Sequence, residues 1–404
     1  MYRVSPFVRH FAWALLGGAL IASLWVNLDP GSYYDAIELR LFDLHFPVWL
    51  SPFPVSLTPL ALVSHGLMAL FMFFVGKELW EAMVLERGAF TGGNAAVPMG
   101  GIIGGMVGAT ILWVVFQTMF ETAAESTFGL GWPVPLGSDV VLGYLVGRAV
   151  FGSGHPALHV LLLVLIGADI FGLLLAGLAN PEGLLRLGWL ALPLLASYGC
   201  WRIFGRRPDP DASERSRRRG LRLWPYIVAG GVSFIGVAAA GLPPALGLLP
   251  VIPAIPHAER SFGLFAEAEE LLHDPLNRLA HFLIHPLAVV LFLFGLTNGG
   301  IDLDATAAAT GSVLAAMWIG KPLGLLAGMA IAARIARATL PPGIGLRDVI
   351  LIAVIVGMGF TVPVLALETA LPGGGMTEAA RLGLAFSLLA GPAAMVLARI
   401  LPDR

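Results

Sequence analysis

Three ionisable residues lie inside long apolar stretches of this 404-residue chain. Asp139 follows the run GWPVPLGS, Asp169 lies at the centre of LHVLLLVLIGADIFGLLLAGL, and Lys321, one of two lysines, follows MWIG. A charged side chain in an apolar environment costs several kcal/mol unless it is paired or hydrated, so such residues mark functional sites. Two carboxylates and an ammonium group are suited to binding and releasing cations and protons.

Carboxylates removed from water can exchange a proton for a small cation. Desolvation favours the protonated form, whereas a hard cation such as Na⁺ binds the ionised oxygens. Proton and cation then compete for one site, and this competition couples their movements. We expect Asp139 and Asp169 to bind both, with Ser138 and free backbone carbonyls completing the oxygen shell. Lys321 would hold Asp169 ionised until a proton or cation arrives.

The composition requires a lipid environment. Only 12% of the residues are charged and 57% are hydrophobic, and the mean hydropathy is +0.83. Soluble domains carry about 25% charged residues because their surfaces contact water. The net charge of −2 provides no basic surface for nucleic acid, and the single cysteine excludes an intrachain disulfide. The chain is therefore predicted to be an all-α integral membrane protein.

About twelve membrane-spanning helices are predicted, because apolar runs of about 20 residues can cross the hydrocarbon core. They lie near 8–28, 57–81, 94–118, 127–150, 157–178, 185–205, 221–241, 243–257, 280–297, 311–335, 347–370 and 379–401. If both termini are placed in the cytoplasm, most arginines fall on the cytoplasmic side. Cytoplasmic loops of membrane proteins carry an excess of Lys and Arg, so this orientation is predicted. The segment 205–220 is then a charged cytoplasmic linker.

Two of these spans are interrupted. The fourth contains glycines and prolines up to Gly137, and the eleventh contains Gly357, Gly359, Phe360 and Thr361 before a proline. Backbone outside a helix survives at membrane depth only inside protein or beside a water-filled cavity. Interrupted spans at matching places in two halves indicate inverted repeats that cross at a transport site.

A structural role stays open for each charge. Asp139 and Lys321 can simply neutralise the dipole ends of interrupted helices, since carboxylates stabilise helix N-termini and cations stabilise C-termini. Asp169 and Lys321 can also form a static buried ion pair.

The motifs around these residues resemble those of the NhaA family of bacterial sodium/proton antiporters, in order and over nearly the whole chain. FFVGKELWEAM resembles the end of the second helix, and GWPVPLGSDV resembles the interrupted fourth helix. TNGGIDL, IGKPLGL and GMGFTVPV resemble the ninth-helix end, the tenth-helix lysine segment and the interrupted eleventh helix. The family is a known example of inverted repeats. The resemblance implies exchange of Na⁺ (or Li⁺) for H⁺ by alternating access, without an enzymatic reaction or a cofactor.

The resemblance also implies an organisation and a location. A core bundle, approximately 94–178 and 311–401, would carry the site, and a second bundle, approximately 8–81 and 221–297, would serve dimerisation within one polytopic domain. Residues 37–50 are too charged to span a membrane and partly alternate between polar and apolar residues, so an extracytoplasmic β-hairpin is expected there. The resemblance implies that homodimers form through this hairpin. The family location is the bacterial inner membrane. Glu78 matches a glutamate of the family's cytoplasmic ion funnel, although charged residues at that interface can also simply reach water.

One departure from the family concerns the site itself. The family carries an Asp-Asp pair on its fifth helix, where this chain has Asp169 followed by Ile170. The missing carboxylate predicts weaker cation binding or fewer protons per cycle. It also leaves two alternatives open, namely a scaffold or sensor that does not transport, or a transporter of another solute such as a sodium-coupled organic-anion symporter.

Overall fold

The computed structural model describes residues 7–44, 55–84, 95–120, 128–181, 184–205, 220–257, 264–265, 274–371 and 373–401. Thirteen helices occupy most of these residues. They are α1 (Phe7–Leu28), α2 (Pro30–Ile37), α3 (Pro59–Val84), α4 (Ala96–Phe120), α5 (Val140–Phe151), α6 (Pro156–Ala179), α7 (Leu187–Gly205), α8 (Trp224–Ala239), α9 (Pro275–Asn298), α10 (Ala308–Ala336), α11 (Leu346–Val356), α12 (Thr361–Ala370) and α13 (Gly375–Ile400).

The helices follow the predicted apolar runs closely. Among the described residues, nine are long and apolar enough to cross a membrane, and ten are if α11 and α12 count as one bent span. Two of the predicted runs are shorter in the structure, namely α8 and the segment Pro244–Ala254. The all-α membrane architecture is therefore confirmed, whereas the number of twelve spans stays a prediction. Nearly all of the predicted linker 205–220 lies outside the described residues.

Helix α6 lies at the centre of the molecule. It begins at Pro156, where the His155 side chain accepts the Ala157 N–H at 3.2 Å, and it is apolar on all sides. An apolar helix of this kind is buried in a larger assembly. It packs against α3, α4, α5, α11 and α12, and its residues from Ala157 to Asp169 are buried without interruption. Asp169 is thereby placed far from solvent.

Glycines bring α4 and α10 close together. Gly100, Gly104 and Gly108 of α4 face Gly324 and Gly328 of α10, and a Cβ at Gly104 would collide with the carbonyl oxygen of Gly324. Small residues permit this approach of two helix backbones in a membrane. The contact fixes the position of Lys321, which lies one turn before Gly324 on the same helix.

Both predicted helix interruptions are present. Two 3₁₀ turns, Phe128–Gly131 and Val134–Leu136, are followed by irregular backbone at residues 137–139 before α5 begins. Residues 357–360 separate α11 from α12, and the two helices meet at an angle of 44°. The prolines of the first interruption lack N–H donors, which shortens its helical segments.

A two-stranded antiparallel hairpin is confirmed, but its second strand lies beyond the predicted segment 37–50. Strand β1 (Phe42–Leu44) pairs with β2 (Val55–Leu57). The Ser56 hydroxyl donates to Asp43 Oδ1 at 2.7 Å. The alternating pattern predicted one strand correctly, but its partner follows a connection whose residues 45–54 lie outside the described ones.

Helix α2 connects this hairpin to the end of α9. The Tyr33 hydroxyl is buried and donates to the carbonyl oxygen of Thr297 at 3.1 Å. Burial raises the pKa of Tyr33 to about 12, so its hydroxyl stays protonated and remains a donor.

Candidate functional site

Asp139 connects the beginnings of two interrupted helices. It caps the N-terminus of α5, where Oδ1 accepts the Leu142 N–H at 2.7 Å. Its other oxygen, Oδ2, accepts the Thr361 N–H at 3.0 Å, at the first residue of α12. Both helix N-termini carry partial positive charge and free N–H groups. The fully buried Asp139 side chain therefore neutralises both ends at once.

Lys321 and Ser138 face the C-terminal ends of the two segments that precede α5 and α12. The Lys321 ammonium donates to the carbonyl oxygen of Gly137, directly after the 3₁₀ turn. The Ser138 hydroxyl donates to the carbonyl oxygen of Val356 at 3.1 Å, where α11 ends. Donors at these carbonyls complement the negative ends of the two segments.

Lys321 does not bind Asp169 directly in this structure. The ion pairs formed among the described residues do not include Lys321, whose hydrogen bond goes to the Gly137 carbonyl. Lys321 is buried close to Asp169, with 1% of its side chain exposed. The static ion pair that the sequence left open as an alternative is thus not formed at contact distance, and the ammonium group donates to the backbone of the first interruption.

Asp169 contributes a free carboxylate oxygen. Its Oδ1 accepts the Ser138 N–H at 2.7 Å, which joins α6 to the first interruption. Its Oδ2 is buried and has no hydrogen-bond partner in the described part of the chain. Buried polar atoms without partners are rare and indicate a role such as ion or proton binding. Ile170, the next residue, is half-buried and packs against the apolar core.

The crossing of the two interruptions is tight. A Cβ on Gly137 would lie 2.8 Å from Val362 Cγ1, and one on Gly357 would lie 2.8 Å from the Met317 carbonyl oxygen. A residue without a Cβ is therefore required at Gly137 against the Val362 side chain, and at Gly357 against the backbone of α10. Phe360 precedes α12 and is buried, with 2% of its surface exposed.

Ser387 of α13 is a site residue that the sequence did not reveal. Its hydroxyl oxygen accepts the Gly359 N–H at 3.1 Å, and its hydroxyl group donates to the Leu384 carbonyl oxygen at 2.6 Å. Ser387 thereby satisfies backbone that the second interruption leaves outside a helix. A serine in an apolar span was the available signal, but serines commonly bond to their own helix, so the signal was weak.

Glu78 belongs to a separate buried group near the end of α3. Lys77 lies 3.1 Å from Glu78 Oε1 and 2.8 Å from Glu81 Oε2, and all three side chains are buried. Glu78 Oε2 also accepts the Phe265 N–H at 2.5 Å. These residues do not reach into water, and none of their hydrogen bonds among the described residues goes to Asp139.

The overall fold is similar to that of a solved ion transporter. The sodium proton antiporter MjNhaP1 from Methanocaldococcus jannaschii, solved at pH 8, gives a TM-score of 0.54 over 97% of this chain and 98% of that one. The sequence identity is 12%, so the likeness concerns the fold alone. The fold is therefore that of a secondary transporter with interrupted helices.

Sequence comparisons define the family. The family model described as Na⁺/H⁺ antiporter 1 matches residues 9–398. The Na⁺/H⁺ antiporter NhaA of Jannaschia sp. (strain CCS1) is 37% identical over 99% of this chain and 98% of its own length. Na⁺/H⁺ antiporter NhaA 2 of Pelobacter propionicus is 30% identical, with 98% and 97% covered. This chain therefore belongs to the NhaA family of Na⁺/H⁺ antiporters, as its motifs predicted.

Proposed function

We propose that this protein exchanges Na⁺ (or Li⁺) for H⁺ across a membrane by alternating access. The observation that carries the proposal is the position of Asp139 and Asp169, two fully buried carboxylates on either side of Ser138. They meet where two interrupted helices cross, and one of their oxygens, Asp169 Oδ2, is buried and has no hydrogen-bond partner among the described residues. Family membership supports the same activity.

Competition for the carboxylates would couple the two ions. A proton on Asp169 removes the charge that a cation needs, and a bound cation removes the lone pairs that a proton needs. Ser138, Thr361 and the carbonyl groups around the interruptions supply further oxygens. Lys321 would compensate the negative charge of the carboxylates when no cation is bound. Its hydrogen bond to the Gly137 carbonyl oxygen holds the ammonium group at the first interruption.

The moving parts would be the two bundles expected from the sequence. Residues 94–178 and 311–401 include every residue of the crossing, and they would move as a core against 8–81 and 221–297. Glu78, near the end of α3 in the second bundle, would lie on the cytoplasmic route to the site, as the resemblance implies. Close packing at the crossing suits such a motion, because Gly137 lies against the Val362 side chain and Gly357 lies against the Met317 carbonyl oxygen of α10, all within the core.

We further propose the bacterial inner membrane as the location, with both termini cytoplasmic, and a homodimer formed through the hairpin. Arginine asymmetry supports the orientation. Exposed apolar side chains on and near β1 support the dimer, since Leu39 is 58%, Leu41 is 42% and Phe42 is 67% exposed.

The two alternatives are not favoured. A scaffold that does not transport has no reason to keep two buried carboxylates at the helix crossing, because each is costly in an apolar environment. An organic-anion symporter needs free donors for its substrate, whereas the unpartnered buried atom at the crossing, among the described residues, is the carboxylate oxygen Asp169 Oδ2, which attracts cations. Both features favour cation exchange.

Transport in proteoliposomes tests the proposal. When a pH gradient is imposed, addition of Na⁺ or Li⁺ should dissipate it. Asp139→Asn and Asp169→Asn should each abolish this cation-driven loss of the gradient. Asparagine keeps one acceptor oxygen for the Leu142 N–H but places its NH₂ group against the Thr361 N–H, so Asp139→Asn should fold with lower stability. Asp139→Ala removes both acceptors and should lose about 1 kcal/mol or more of stability. Exposed Asp304→Asn is the control and should transport normally. Purified protein that shows no cation response between about pH 6 and 9 would refute exchange.

A further inference from the structure

A small cavity lies beyond the ion-binding residues, on the side of the molecule that carries the hairpin. Its volume is about 60 Å³. Its walls come from the first turns of α3 (Ser64, His65), from α12 (Leu365, Glu368, Thr369), from Leu173 of α6 and from residues 243–245. A water molecule needs about 10–15 Å³ of such space, so the cavity has room for a few.

The cavity and the ion-binding residues share two helix faces. On α12, Leu365 and Glu368 follow Thr361 by four and seven residues, and on α6 Leu173 follows Asp169 by four. These spacings keep side chains on one face of a helix. At 1.5 Å per residue, Glu368 lies about 10 Å along α12 from Thr361, and Leu173 lies about 6 Å along α6 from Asp169. Leu173 and Leu365, both buried, stand between the cavity and the site.

The cavity contains the groups that receive a cation. Glu368 is the one acidic residue of α12 and lies in an otherwise apolar span, where a carboxylate is costly. Ser64 and Thr369 add hydroxyl oxygens, which donate to Asn298 Oδ1 at 3.1 Å and to the Leu365 carbonyl at 3.1 Å. Their lone pairs remain available to a cation. His65 and Glu368 are the titratable groups of the lining.

The walls of the cavity belong to different bundles. Ser64, His65 and residues 243–245 lie in the second bundle, whereas Leu173, Glu368 and Thr369 lie in the core. Under the proposed movement of one bundle against the other, the size of this cavity would change.

We propose that the cavity is a transit site for a monovalent cation, in which Glu368 holds Na⁺ arriving from the hairpin side before it passes Leu173 and Leu365 to Asp169. This inference rests on the proposed exchange function. Glu368 supplies a carboxylate about two helical turns along α12 from Thr361, close to a site where Ile170 stands in place of a family aspartate. The cation would keep part of its water shell here, because the cavity has room for water and offers few protein oxygens.

Cysteine labelling tests the route without requiring transport. Cys200 is the only cysteine, so a Cys200→Ser chain gives a clean background. Thr369→Cys in that background should react with a membrane-impermeant thiol reagent added from the hairpin side of oriented vesicles, and Na⁺ should slow the reaction. When Glu368→Gln is added to this Thr369→Cys chain, Na⁺ should no longer slow the labelling reaction. Leu162→Cys, buried in α6 on the other side of Asp169, should not react.

Transport kinetics test the role of Glu368. Glu368→Gln should weaken the apparent Na⁺ affinity about 3–10-fold when Na⁺ is supplied from the hairpin side, which is about 0.7–1.4 kcal/mol. The maximal rate and the affinity from the other side should change less than about twofold. Asp304→Asn, an exposed carboxylate near the same membrane surface, should behave like the parent chain.

The outcomes separate this inference from the proposed function. Normal exchange with an unchanged hairpin-side affinity in Glu368→Gln would overturn the transit site and leave the exchange intact. Thr369→Cys that reacts only from the opposite side would overturn it as well. A parent chain without exchange would refute the function, whereas labelling from the hairpin side with protection by Na⁺ would still support the transit site.

Discussion

At the scale of single residues, Asp139 and Asp169 make structural contacts, and the proposed exchange adds a chemical role to them. Asp139 caps two helix N-termini with its two oxygens, and both bonds are made to backbone N–H groups. Asp169 uses one oxygen for the Ser138 N–H and keeps the other without a partner. The residue with the unpartnered oxygen is therefore the better acceptor of a proton or cation, while Asp139 holds the helices in place.

Ile170 gives a direct prediction about affinity. Replacing it with aspartate restores the carboxylate pair of the family and adds negative charge beside Asp169. We expect Ile170→Asp to tighten the apparent Na⁺ affinity at least about 3-fold at alkaline pH, because one unit charge in a site of effective dielectric 20 contributes on the order of a few kcal/mol before desolvation is subtracted. Transport kinetics in proteoliposomes measure this.

Ile170→Asn is the matched control, since it adds polarity of similar size without charge. It should leave the affinity unchanged or weaken it. An Ile170→Asp protein that folds normally and binds Na⁺ no better than the parent would contradict the view that the missing carboxylate limits affinity.

At the scale of elements, close contact between helices sets the geometry of the site. The glycines of α4 and α10 bring the two backbones together, and Lys321 lies on α10 beside that contact. At the crossing of the two interruptions, Gly137 packs instead against the Val362 side chain. An added methyl group between α4 and α10 must move a backbone, because the opposing surface there consists of carbonyl oxygens rather than flexible side chains.

Gly104→Ala tests the α4–α10 contact. The added Cβ would collide with the Gly324 carbonyl oxygen, and such overpacking costs about 1–3 kcal/mol. We expect a lower unfolding temperature in detergent and a reduced transport rate, because Lys321 is displaced from the Gly137 carbonyl. Gly17→Ala in α1, where a Cβ has no atom within 4 Å, is the control. Equal stability of the two variants would show that the helices can separate without cost.

At the scale of the whole molecule, the hairpin presents an apolar surface outside the bundle. Phe42→Glu should reduce the dimer fraction in detergent at least about 5-fold, because a charge at the centre of an interface is costly to desolvate. Light scattering coupled to size-exclusion chromatography measures this. Leu184→Glu, in another loop with 79% of its surface exposed, is the matched control. A Phe42→Glu protein that stays dimeric would place the interface elsewhere.

The sequence by itself determined the class of protein, the main helices and the two interruptions. These features depend on local properties, namely the length of apolar runs, the missing N–H groups of prolines and the charges that lipid excludes. The same local signals identified Asp139, Asp169 and Lys321. Motif resemblance identified the family, and the comparisons confirmed it.

Only the tertiary structure decided how these residues are connected. Asp139 and Thr361 are 222 residues apart, and Lys321 and Gly137 are 184 apart, so no periodicity relates them. The sequence allowed Lys321 to pair with Asp169, whereas helix packing directs it to the Gly137 carbonyl. Ser387, the second strand of the hairpin and the cavity at Glu368 depend equally on contacts between distant helices. Such contacts are set by the packing of backbones, which a pattern of residue types along one helix does not record.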